Sequence, residues 1–172
     1  MGNSGAAFRQ FGASALEFSV AILIISVVSA TILQRLFYVQ EYAEKVAMEL
    51  MISNFRTALR VQVGELLIAD RATEISKLAG ANPVDWLESR PENYRGALNA
   101  APGATFKGQW YFDAAKRELV YTADSRRYFT SAASSEYTVR LKVQPILNVQ
   151  DGISHRQPEW VRLAVISDYA WF

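Results

Sequence analysis

The side chains able to do chemistry are few. The sequence holds one histidine, His155, and no cysteine. Thiol nucleophiles, thiolate zinc sites and disulfide frameworks are therefore excluded. A Ser-His-Asp triad would rest on a single imidazole, and a multi-histidine metal site is impossible. His155 lies in the polar stretch Gly152-Ile153-Ser154-His155-Arg156, where exposure to solvent is the default, so no enzymatic activity is expected. Asp124, Asp151 and Asp168 are scattered without the spacing of a calcium loop, so neither metal nor cofactor is expected. One carboxylate stands apart because of its surroundings. Glu17 sits inside a long apolar run, where an unpartnered charge is unfavourable by roughly 2.5–3.5 kcal/mol at mid-depth in a bilayer, and by less near the interface.

Charge narrows the classes further. Lys and Arg total 18 against 17 Asp and Glu, a formal net charge of +1, so the chain as a whole has no field to hold nucleic-acid phosphates. The basic pairs Lys116-Arg117 and Arg126-Arg127 adjoin Glu118 and Asp124 and read as solvated surface, so no nucleic-acid partner is expected. Gly96, Gly103 and Gly108 follow no phosphate-cradling spacing and lack a strand-to-helix context, which leaves nucleotide binding unsupported.

The element that positions Glu17 is a helix. Phe18 to Gln34 carries no charge over 17 residues, and Ala13 to Leu33 spans 21 residues with Glu17 as the single charge. At 1.5 Å per residue the longer segment reaches roughly 31 Å, the thickness of a bilayer core. It ends in Arg35 rather than at a small-residue cleavage site, which separates it from a removable secretory signal. A membrane-spanning helix is expected, with the short tail before Ala13 in the cytoplasm and the large C-terminal part exported. Glu17 then either lies at the headgroup boundary and snorkels, or needs a partner.

The junction reads Arg9-Gln10-Phe11-Gly12-Ala13-Ser14-Ala15-Leu16-Glu17-Phe18. A glycine before the apolar run and a glutamate five positions after it resemble the processing signal of type IV pilins and type II secretion pseudopilins. The resemblance implies a leader at 1–12, cleavage between Gly12 and Ala13 by a prepilin peptidase, and N-methylation of Ala13. It implies assembly through Glu17, Phe18 and the helix they open. The Glu17 carboxylate of one subunit would neutralise the Ala13 amine of the next, removing two buried charges together. The implied partners are other pilin or pseudopilin subunits, the peptidase, the membrane and an inner-membrane assembly platform. The implied location is the inner membrane, single-pass, with a periplasmic head. A single-span anchor carrying a periplasmic binding or sensor domain is the competing reading, and it requires no processing.

The remaining elements follow from periodicity. No proline occurs between the apolar run and Pro83, and Met48, Ile52, Phe55, Leu59, Val63 and Leu66 recur at spacings of three and four. This predicts one helix from about Ala13 to the mid-60s, a bend at Gly64, an i,i+4 pair between Glu41 and Lys45, and a short helical piece near Glu74–Ala79. Asn82-Pro83 opens another short helix, with Trp86 as a core anchor. Asn93–Gly108 reads as loop. Strands are expected at Gln109–Phe112, Glu118–Thr122, Tyr137–Val143 and Trp160–Ile166, the first two as a hairpin, with Pro145 and Pro158 in the loop before the last. The expected fold is α+β and pilin-like. A long N-terminal helix has a membrane-spanning part (13–34) and an amphipathic part (35–80), and the latter packs on a four-stranded antiparallel sheet in a head over 81–172.

Overall fold

A computed structural model of the chain describes residues 14–99, 106–131, 137–146 and 160–172. The chain divides into two compact units, Met1–Gln40 and Glu41–Phe172. Helix α1 runs from Ala15 to Ile68, 54 residues without a break. It passes through Gly64, where the expected bend does not appear as an interruption and where an added Cβ would meet nothing within 4 Å. The helix stops in a Schellman-type turn. Asp70 takes a φ of 57°, its N–H donates to the Leu67 carbonyl (3.2 Å), and the Arg71 N–H donates to the Leu66 carbonyl (2.8 Å). An aspartate stands where such turns favour glycine, which is why the sequence carries no obvious stop signal there.

In the first unit the described residues, 14–40, are all exposed. An 18-residue window of α1 reaches a mean hydropathy of 2.3 with none of it buried. By length and composition this helix can cross a membrane.

The second unit is a head built on the C-terminal part of α1. The six apolar residues of the predicted stripe, Met48 through Leu66, are all buried. They share one core with Trp110, Leu119, Tyr121, Val139, Leu141 and Leu163 from the sheet, and Phe55 meets the Trp110 ring edge-on at 5.3 Å. Two 3-10 helices follow α1, Ala72–Leu78 and Pro83–Trp86. The Asn82 side chain caps the second by accepting from the Val84 N–H (3.3 Å), as the Asn-Pro pair predicts, and Trp86 packs partly buried against the core.

The sheet strands are β1 (Tyr94–Leu98), β2 (Gln109–Asp113), β3 (Glu118–Thr122), β5 (Thr138–Ile146) and β6 (Trp160–Val165), in the spatial order β1-β2-β3-β5-β6. The strands β4 (Phe129–Ser131) and β7 (Tyr169–Trp171) form a separate antiparallel pair. The predicted hairpin is present, with Trp110 opposite Tyr121 and Phe112 opposite Leu119.

Three expectations need correction. The main sheet has five strands rather than four, and β1, inside the segment read as loop, pairs in parallel with β2. The sequence Tyr-Arg-Gly-Ala-Leu lacks alternation, and Gly96 sits at φ +93°; its neighbour supplies the order that its own side chains do not. Pro145 lies within β5, opposite Val161, and not in a loop. β3 pairs with β5 only as far as Leu141, so the missing N–H of Pro145 is not needed on that side. The Glu41–Lys45 pair is replaced by other partners, described next.

Candidate functional site

Two groups of carboxylates on α1 are candidates, one in each unit. In the first unit Ser14 precedes the helix and Glu17 stands in its first turn. The Ser14 N–H donates to Glu17 Oε2 (2.8 Å), and the Glu17 N–H donates to Ser14 Oγ (3.2 Å). This is a capping box, in which each side chain satisfies the other residue's amide at the start of a helix. The Glu17 carboxylate also sits at the positive end of the helix dipole. The sequence signal for the capping box is the Ser-x-x-Glu spacing of Ser14-Ala15-Leu16-Glu17, which stands directly before an apolar run. Phe18 and Leu16 beside it are 63% and 74% exposed. Gly12 and Ala13, the other residues of the expected processing site, lie outside the described residues, as does His155.

In the head, Glu41 and Glu44 lie one turn apart on α1. Glu41 is buried, and its Oε1 accepts from the Tyr128 N–H (2.9 Å) and from Trp171 Nε1–H (3.1 Å). Glu44 Oε1 accepts from the Tyr121 hydroxyl (2.9 Å) and the Asp124 N–H (2.7 Å), while its Oε2 accepts from the Ser125 N–H (3.0 Å). Burial, then the nearby Glu44 charge, push the Tyr121 phenol well above its usual range, so it remains a donor. Lys45 turns to the C-terminal strand, donating to the Trp171 carbonyl (2.9 Å) and pairing with Glu49 (3.9 Å). Phe172 closes the group, stacked on Tyr128 at 5.1 Å and edge-on to Tyr42 at 6.0 Å.

The chemistry of this second group is structural. Glu41 Oε1 and both oxygens of Glu44 accept from backbone, hydroxyl and indole donors. It ties the 124–128 segment and β7 to the helix. A signal for Glu41 was present: it falls seven residues before Met48, on the same helical stripe, so it is an acid at a core position. Neither its buried partners nor the role of Trp171 could be read without the fold, because they arrive from far along the chain.

No protein-family model, no curated protein and no solved structure matches this chain.

Proposed function

We propose that the protein is a structural subunit, a minor pilin or pseudopilin, of a type IV pilus or type II secretion filament. It is assembled through its N-terminal helix after removal of residues 1–12. One observation carries the reading: a helix opening with an acid five positions after Gly12, uncharged from 18 to 34, with every described residue from 14 to 40 exposed. A monomer in water would not leave that much contiguous apolar surface bare, so lipid or copies of the same helix cover it.

In this reading the head is periplasmic and the helix starts in the inner membrane. Glu17 is held by Ser14 until an adjacent subunit presents its Ala13 amine. The carboxylate then exchanges an amide donor for a cation, a stronger hydrogen-bond partner in a water-poor setting. Partners are other subunits, a prepilin peptidase and the platform of the assembly machine. No catalytic role is assigned.

The capping box favours a second reading. Because Glu17 already has a partner in its own chain, the helix can also serve as a plain single-span anchor for a binding or sensor head. Mass spectrometry of the protein recovered from its native membrane separates the two. A chain beginning at N-methylated Ala13 is the expected result. Retention of residues 1–12 overturns the subunit assignment and leaves the anchor.

A further inference from the structure

Beside the last strand of the main sheet lies a half-open cleft of about 320 Å³ between α1 and β6. Arg56 and Arg60 line it from α1, Trp160 and Arg162 from β6, over an aliphatic floor that includes Leu59 and Leu163. All three arginines line the cleft, and among the described residues none of them makes an ion pair or hydrogen bond. Trp160 is 48% exposed at the same place, a large apolar side chain left in water.

The cleft runs along β6, the last of the described strands in the sheet order, against which the 3-10 helix Ala72–Leu78 also packs. Its other neighbour fixes which backbone groups face outward. The Ile166 N–H donates to the Arg140 carbonyl (2.9 Å), and Pro145, opposite Val161, has no N–H to give. Hydrogen-bonded pairs in an antiparallel ladder alternate, so Val161 and Leu163 direct their N–H and C=O groups away from β5, toward the cleft. These groups make no backbone hydrogen bond with another described residue.

The geometry points to an extended acidic segment of a different polypeptide as the occupant of this cleft, added as a further strand on the edge of β6. The spacing fits that occupant. Arg56 and Arg60 are four residues apart on a helix, about 6 Å along its axis. Side chains on one face of a strand recur about every 6.6–7 Å, so acids at alternate positions of an added strand meet the two arginines in turn. The opposite face of that strand adjoins Trp160 and Arg162. Arginine and tryptophan are the residue types that most often anchor a protein interface. The partner is not a second copy, because nowhere in the sequence do two acidic residues stand two positions apart. This inference does not depend on leader removal or on filament assembly.

The test uses the full chain in nanodiscs of zwitterionic lipid and the labelled peptide Thr-Glu-Val-Glu-Val-Glu-Thr. Saturable binding is expected, with a change in tryptophan emission that the Trp160→Phe variant lacks. The Arg56→Gln/Arg60→Gln double variant should bind about tenfold more weakly or worse. Both arginines are exposed, and melting curves of the variant check that the head is intact. Two peptide changes leave the protein untouched. Replacing the acids by Gln, or N-methylating the backbone that faces β6, should each abolish binding. Equal binding of a peptide with its three acids adjacent would reduce the cleft to a diffuse cationic surface and overturn the proposal. So would full binding by the N-methylated peptide, displacement by equimolar phenyl phosphate, unchanged binding by the arginine variant, or no binding at all.

Discussion

Residues 14–40 and the head over 41–172 solve the same problem, apolar side chains and acids on one helix, in opposite ways. In the first unit Val20, Ile24 and Leu33 are exposed, and Glu17 is held by the neighbouring serine. In the second, Met48, Phe55 and Leu59 are enclosed by a sheet, and Glu41 is held by groups 87 and 130 residues away. The lesson concerns where each part obtains its stability. The head closes its own core, whereas the N-terminal helix relies on capping, helix propensity and whatever apolar medium surrounds it.

The largest expected effect separates the two regions by residue type. Phe55→Ala should cost the head about 3–5 kcal/mol, because the ring is fully enclosed against Trp110 and its removal leaves a cavity. Phe18→Ala, the same change on the exposed helix, should leave the head's melting temperature unmoved. Thermal unfolding of both variants in the same detergent checks this, and a matching drop for Phe18→Ala would break the distinction.

Next come the two acids. Glu41→Ala leaves the Tyr128 N–H and the Trp171 indole N–H without their acceptor, at a cost of about 2–3 kcal/mol. Glu17→Ala should not change head stability and should instead reduce incorporation into filaments, read by fractionation. Normal incorporation of Glu17→Ala would remove the role given to that carboxylate.

The smallest effect is a pH dependence confined to the head. Burial raises the phenols of Tyr94, Tyr121 and Tyr169 above the ordinary value of 10.0. A raised folded-state pKa means that the stabilisation is fully present below pH 10 and fades as pH climbs past it, since the unfolded chain ionises first. Head stability should decline above about pH 10, by at most about 1.4 kcal/mol per pH unit for each phenol. Tyr121→Phe should flatten that slope, measured by urea denaturation between pH 9 and pH 11.

What the sequence made legible follows from how local each signal is. The stripe from Met48 to Leu66 repeats within one helix, and the alternation of Val139, Leu141 and Val143 lies within one strand, so both could be read directly. β1 could not be, because its order comes from pairing with β2, and its own composition suits a loop. The three-residue strands that make up the β4–β7 pair are likewise too short to carry a period. For the candidate sites the same rule applies: Ser14 and Glu17 are three residues apart, while the donors to Glu41 lie 87 and 130 residues further along the chain.

The indole bond from Trp171 to Glu41 spans a sequence separation of 130 residues. Its consequence is temporal. Ribosomes deliver Glu41 long before Trp171, and the buried acid has no indole partner until nearly the whole head has been synthesised. Such non-local closure is slow compared with helix formation. The head therefore reaches its final packing only after Trp171 has emerged, while the helix that carries Glu41 can form as soon as it emerges.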